Sequence, residues 1–162
     1  MPITFKDDGW YWGSKGPFPS KQKALQVAQG AHASGFKEED MKDEEYSVEK
    51  CVIYLLHSVT NAHILHLQTK SYAEHMALEG YYTEIGGLTD SFVEAYQGKY
   101  GIIEKYPEDY KLPQYSIQYL VGLSTYLHDA RPYLPQDTEL QNILDEVASL
   151  IDSTLYKLRF LS

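Results

Sequence analysis

Histidine and carboxylate side chains recur at regular spacing between positions 63 and 94, and together these residue types can bind a transition metal. The residues are His63, His75, Glu79, Asp90 and Glu94. Imidazole nitrogens and carboxylate oxygens are common protein ligands of iron, manganese and zinc. His75 and Glu79 are four residues apart, as are Asp90 and Glu94, so each pair lies on one face of a helix. The spacing therefore predicts metal binding by two pairs of side chains.

The separation of the two pairs predicts that one chain cannot complete the site. Glu79 and Asp90 lie about 16 Å apart along a helix axis, at about 1.5 Å per residue. In a second copy running antiparallel, Asp90 and Glu94 would face His75 and Glu79 of the first copy. We therefore expect a two-fold dimer with metal at its interface.

A helix hairpin near residue 70 is expected to bring an upstream histidine beside His75. The segment from Ser71 to Glu74 has the S-x-x-E pattern of a capping box, which predicts that a helix begins at Ser71. A tight turn at this point places His63 at the level of His75. His66, three residues after His63, can point toward the same site, so the spacing leaves open whether His63 or His66 is the ligand.

Four segments with helical periodicity should position these residues. The predicted helices cover about 45–68, 72–97, Pro113 to the residue before Pro132, and Asp137 or Thr138 to about Leu161. The pattern Thr138-x-x-Gln141 predicts a second capping box at the start of the last helix. The second predicted helix contains Gly86-Gly87, which favours close approach of another helix or a kink. Four helices with short connections, apart from one longer segment after the second, predict a four-helix bundle over residues 41–162.

Residues 1–40 predict a small aromatic extension of strand and helix. A glycine-bounded aromatic run at Gly9–Trp12 is typical of a strand, and the proline-rich segment 16–19 of a loop. Ser20 is a candidate cap for a short helix from Lys21 to Ala33. The chain is therefore expected to be all-α apart from this extension.

Composition limits the classes of partner. The net charge of −9 lies entirely in residues 41–162, and such a surface repels phosphate backbones, so we expect no nucleic-acid binding. The single cysteine, Cys51, excludes an intrachain disulfide and is expected to be a buried thiol. No signal peptide and no apolar stretch of membrane-spanning length is found, which predicts a cytoplasmic protein without membrane contact.

The ungapped register of His63, His75, Glu79, Asp90 and Glu94 resembles the ferroxidase motif of the Dps-like mini-ferritins. Glu79 stands where that family more often has aspartate, while Ile64 and Gln68 replace its usual tryptophan and glycine. The resemblance implies a ferritin-like four-helix bundle and oxidation of Fe(II) by peroxide or oxygen, with manganese or zinc as the alternative metals. It favours His63 over His66 as the ligand. It also implies a homo-oligomer of at least a two-fold dimer, and leaves open a larger closed shell.

A second hypothesis belongs to another functional class. The acidic helices could serve as a non-enzymatic scaffold or protein-interaction module that retains the bundle fold and uses the aromatic extension to bind a protein partner. The metal content of the purified protein distinguishes the two hypotheses.

Overall fold

The computed structural model of the chain describes residues 3–6, 9–12, 15–33, 46–108 and 110–161. The chain divides into two compact units, Met1–Glu44 and Glu45–Ser162. The boundary that the sequence predicted after residue 40 falls in the segment 34–45, outside the described residues. The described residues are mostly helical, as predicted, with a small sheet in the first unit.

The first unit contains a three-stranded antiparallel sheet in the order β1-β2-β3, where the sequence predicted a single strand. The strands are β1 (Ile3–Lys6), β2 (Gly9–Trp12) and β3 (Lys15–Phe18). The predicted loop at residues 16–19 was wrong, because β3 pairs there with β2 across an irregularity between Trp10 and Trp12. Gly9 has a φ of 148°, and a Cβ at this position would lie 2.8 Å from Cβ of Pro17. Only glycine permits this approach between β2 and β3.

Helix α1 (Lys21–Ala33) follows the sheet directly and begins as predicted. The hydroxyl oxygen of Ser20 accepts a hydrogen bond from the backbone nitrogen of Lys23 at 3.2 Å, which caps the helix. The Trp10 ring lies edge-on to Phe5 at 5.1 Å, and Nζ of Lys21 lies 5.6 Å from the Trp10 ring centre. Trp10 therefore packs against its neighbouring strand and α1 within the first unit.

The second unit contains the four predicted helices with shifted ends. They are α2 (Val48–Gln68), α3 (Tyr72–Tyr100), α4 (Ser116–Ala130) and α5 (Thr138–Phe160). α3 continues through Gly98 and ends at Gly101, whose φ of 97° suits glycine. α4 begins three residues after Pro113, and a single 3-10 turn (Arg131–Tyr133) leads toward α5. No helix in these described ranges is long and apolar enough to cross a membrane.

The two predicted capping boxes differ in outcome. The Ser71 hydroxyl accepts from the backbone nitrogen of Glu74 at 3.3 Å, so the predicted N-cap is confirmed. The Glu74 carboxylate does not complete the box and instead accepts from the hydroxyls of Thr69 and Ser116. The box predicted at Thr138 was wrong, because the side chain of Gln141 binds the carbonyl of Pro135 and the guanidinium of Arg131.

Side-chain contacts between helix ends define the chain direction in the second unit. α2 and α3 are antiparallel across a short turn. Ser116, at the start of α4, binds Glu74 near the start of α3, so α4 runs parallel to α3. Asp137, at the start of α5, binds Lys99 near the end of α3, so α5 runs antiparallel to α3. Residues 101–115 therefore form a crossover, a name kept below, that returns the chain along the length of α3.

Each of these four helices packs against two others. α3 packs on α2 and α5, and α4 packs on the same two helices. The core between them is apolar, and its largest fully buried side chains include Tyr81, Phe92, Leu55, Leu78 and Ile85. The Tyr81 hydroxyl donates to the hydroxyl of Ser58 at 2.8 Å, so this buried polar group is satisfied.

Cys51 is buried, as predicted, and burial raises the pKa of its thiol to about 12, which keeps it protonated at neutral pH.

The ion pairs at the start of α5 should make stability depend on pH. Hydrogen bonds from Lys99 and Tyr100 hold the pKa of the Asp137 carboxyl below its ordinary value, and Asp137 raises the pKa of Lys99. The contribution of Asp137 is therefore present at neutral pH and is lost as pH falls through its lowered pKa. We expect Asp137→Asn to unfold at lower urea concentration than the unsubstituted protein at pH 7, and the difference to vanish in acid. Asp152→Asn removes the same charge from α5 and should lack this pH dependence; a parallel response of both variants would contradict the assignment.

A candidate metal centre at the hairpin between α2 and α3

The turn between α2 and α3 is short and closed by side-chain hydrogen bonds. α2 ends at Gln68 and α3 begins at Tyr72. The Thr69 hydroxyl accepts from the backbone nitrogen of Ser71 at 3.1 Å and donates to Glu74 at 2.5 Å. These contacts fix the hairpin that the capping pattern predicted near residue 70. The end of α2 consequently lies beside the first turn of α3.

His66 and His75 form a reciprocal pair across this hairpin. Nδ1 of His66 lies 2.9 Å from the backbone oxygen of His75, and Nδ1 of His75 lies 3.1 Å from the backbone oxygen of His66. The two rings stack with their centres 3.6 Å apart. A carbonyl oxygen can only accept, so each Nδ1 carries a proton and donates it. In the neutral imidazole, Nε2 is then the nitrogen with a lone pair, which is the arrangement of many histidine ligands.

His63 belongs to the same cluster but has a different environment. Its ring stacks on Tyr82 with a centre separation of 4.4 Å, and it lies 5.8 Å from the ring of His66. Tyr82 also lies edge-on to His66 at 5.2 Å. His63 is exposed, whereas His66 is buried. The structure thus brings His63, His66 and His75 together, with Tyr82 packed against two of the three imidazoles.

The carboxylates of the predicted site lie further along α3. Glu79 is half-buried one turn after His75, while Asp90 and Glu94 are exposed. Helical periodicity places all of them along one side of α3, with Asp90 about 16 Å beyond Glu79. Within the described part of a single chain, no group of three or more His, Cys, Asp or Glu residues is arranged to hold an ion. The described histidines and carboxylates of one chain therefore do not by themselves form a complete metal site.

The donor set nevertheless fits a divalent transition metal shared between two copies. In the hairpin, hydrogen bonds fix the tautomers of His66 and His75. The second half of α3 presents the carboxylates of Asp90 and Glu94 to solvent, on the same side of the helix as His75. A second copy placed antiparallel would add oxygen ligands to nitrogen ligands, the mixture that iron, manganese and zinc accept. The buried polar residues described in the helical core include no carboxylate: Ser58, Asn61, His66, Thr89, Ser116 and Thr154.

Two features of this region were not evident in the sequence. The reciprocal hydrogen bonding of His66 and His75 depends on the length of the turn. Only their similar offsets from position 70, four residues before it and five after it, hinted at this pairing. The stacking of Tyr82 on His63 could have been suspected, since Tyr82 lies seven residues, or two helical turns, after His75. The choice between His63 and His66 could not be made from spacing, because both lie on the last turns of α2.

The described part of the second unit thus has four long helices with one long crossover between α3 and α4, and it carries a histidine cluster at one hairpin. A family model matches residues 66–158, more than half of the chain, and its description is a family of unknown function (DUF5856). The chain belongs to this family. The match begins at His66 and includes His75, Glu79, Asp90 and Glu94. Searches against curated proteins and against solved structures gave no match.

Proposed function

We propose that the protein is a cytoplasmic, mini-ferritin-like iron-binding protein that takes up Fe(II) at a two-fold interface between copies of α3. The ligands are drawn from His66 or His63, His75 and Glu79 of one chain and from Asp90 and Glu94 of the other. Iron is the substrate of this site, with manganese or zinc as the alternative metals. Bound Fe(II) would supply electrons to peroxide or oxygen, which is the ferroxidase activity that the resemblance implies.

The reciprocal pair of His66 and His75 carries the proposal. A histidine ligand is oriented when its second nitrogen donates to a carbonyl or carboxylate, because this contact fixes both tautomer and ring plane. Both imidazoles have that contact within the hairpin, at 2.9 and 3.1 Å. Because both contacts are made within one hairpin of one chain, they can orient the imidazoles independently of a metal, so ordering them for binding requires little additional entropy.

The path of the chain gives independent support to a ferritin-like bundle. Ferritin-like bundles differ from simple up-and-down bundles in having one long crossover connection. Here α2 and α5 run in one direction and α3 and α4 in the other, with residues 101–115 as the crossover. Because α4 runs parallel to α3, the chain must return along the length of α3 before α4 can begin. A short loop could not make this connection.

Metal titration of matched variants tests the proposal. Anaerobic Fe(II), and Co(II) as an oxygen-stable probe, should bind the unsubstituted protein, whereas His75→Ala and Asp90→Ala should each lose most of the binding. His128→Ala removes an exposed histidine from the last turn of α4 and should bind as the unsubstituted protein does. Because His75 and Asp90 lie about 22 Å apart along α3, their equal importance would also support a site shared between chains.

The opposite result favours the second hypothesis. If all four proteins bind Fe(II) and Co(II) equally weakly, the chain has no metal site at this hairpin. The acidic helices would then be better interpreted as a non-enzymatic scaffold or protein-interaction module.

A further inference from the structure

A cavity of about 800 Å³ lies in the helical unit, away from the histidine cluster, between α2, α4 and the crossover. Its α2 wall includes Tyr54, His57 and Asn61, its α4 wall Tyr119, Gly122 and Tyr126, and the crossover closes it from Lys111 to Tyr115. Small-molecule sites in proteins commonly enclose about 300–1,000 Å³. The volume is therefore that of a pocket for a small organic molecule.

Hydrogen bonds to a buried asparagine hold the crossover wall in place. Nδ2 of Asn61 donates to the backbone oxygen of Lys111 at 3.3 Å, and its Oδ1 accepts from the Tyr110 hydroxyl at 2.9 Å. The Tyr110 ring also lies edge-on to His57 at 4.9 Å. The base of the cavity is buried at Asn61 and Leu123, while Lys111, Tyr115 and Gln118 are exposed at its rim. The pocket is thus fixed at its base and accessible at its edge.

The lining chemistry selects a class of ligand. Tyrosine rings stand on the α2, crossover and α4 sides of the cavity, and Tyr54 and Tyr126 meet edge-on at 4.6 Å. Such walls favour a flat aromatic ring. Burial raises the pKa of the Tyr119 hydroxyl to about 12, against the lowering effect of its hydrogen bond with Asn61, so this hydroxyl is a neutral polar group in the lining. The side-chain amides of Gln114 and Gln118 add donors and acceptors.

Charge distinguishes this cavity from the rest of the surface. The chain has 23 acidic residues, yet none of the described residues that line the cavity is aspartate or glutamate. Among these lining residues Lys111 is the one lysine or arginine, and His57 lines the cavity from α2. An anionic group on the ligand is therefore favoured at this position over a cationic one.

We propose that this cavity binds a small planar aromatic molecule carrying an anionic group, with the ring against the tyrosine side chains and the anion toward Lys111. This binding is independent of the metal site. Gly122 provides a direct test, because a Cβ built on it meets no atom within 4 Å and therefore points into open space. A large side chain at Gly122 should fill the cavity without disturbing α4.

Calorimetric titration with two probes of matched shape tests the proposal. We expect the full chain to bind 2-naphthoate, and to bind 2-naphthylmethylammonium about two- to thirtyfold more weakly, because reversing the charge replaces an exposed attraction with a repulsion of similar size. Gly122→Phe should abolish naphthoate binding, and Lys111→Gln should weaken it about two- to fivefold. Gly98→Phe is the matched control, since Gly98 is also helical and exposed with no atom within 4 Å of a built Cβ, and it should bind naphthoate normally.

Three results would overturn the inference. The first is that the unsubstituted chain fails to bind naphthoate at millimolar concentration. The second is that the two probes bind equally, and the third is that Gly122→Phe binds naphthoate as the unsubstituted chain does. Circular dichroism of both phenylalanine variants checks that the helices are retained. If Gly122→Phe unfolds, Gly122→Leu replaces it in the test, since a leucine should also block the cavity.

Discussion

Replacing Gly87 with arginine is expected to convert the protein from a dimer to a monomer and to remove its metal binding. Gly87 lies about 4 Å along the axis of α3 beyond the point midway between Glu79 and Asp90, where two antiparallel copies of α3 would cross most closely. Further toward the start of α3, Tyr72 and Met76 are also exposed. A long charged side chain at the crossing point would separate the helices, and each metal site would lose the ligands of the second chain.

The same substitution should not weaken the fold of a single chain. A Cβ at Gly87 meets no atom within 4 Å, and arginine favours a helix over glycine by up to about 1 kcal/mol. Gly98→Arg introduces the same side chain 11 residues, or about 16 Å, further along α3 and serves as the control. Light scattering with metal present should give a dimeric mass for Gly98→Arg and a monomeric mass for Gly87→Arg. A Gly87→Arg protein that remains dimeric and binds metal would exclude this interface.

Replacing His66 with asparagine is expected to weaken metal binding at least about 100-fold, because loss of a ligand should cost at least as much affinity as loss of a ligand's supporting contact. The free energy of unfolding should be nearly unchanged. The asparagine amide nitrogen occupies nearly the position of Nδ1 in histidine, so it can still donate to the backbone oxygen of His75. It has no counterpart of Nε2, the nitrogen that would bind the metal. The substitution therefore separates the structural contact from the ligand.

Two further variants make this result specific. His66→Ala removes both functions and should lower the free energy of unfolding by about 1–3 kcal/mol as well as the metal affinity. His63→Asn should reduce metal affinity less than His66→Asn, because the ring contacts of His63 are with Tyr82 and His66 at the exposed edge of the cluster. If His63→Asn is the more damaging change, the register of the mini-ferritin resemblance identifies the ligand correctly and the hairpin pair is structural.

Helix positions in the second unit were predictable because they depend on local rules. Apolar periodicity located all four helices, and Ser71 and Ser20 marked two helix starts through contacts that span only three residues. The errors also have local causes. Gly98 did not end α3, since an exposed glycine inside a helix costs only about 1 kcal/mol. The strand Lys15–Phe18 was missed because its proline and glycine are more common in loops, and pairing with β2 outweighs that preference.

By itself, the sequence determined the helices, the hairpin near residue 70, the buried Cys51 and the placement of His75, Glu79, Asp90 and Glu94 along one side of α3. These features follow from spacing within one helix or across one short turn. Tertiary structure decided that His66 rather than His63 exchanges hydrogen bonds with His75, since this depends on the relative rotation of two packed helices. It also decided the direction of α4 and the tyrosine-lined cavity, because both depend on how residues 101–115 return along the chain, and no local pattern fixes the path of that segment.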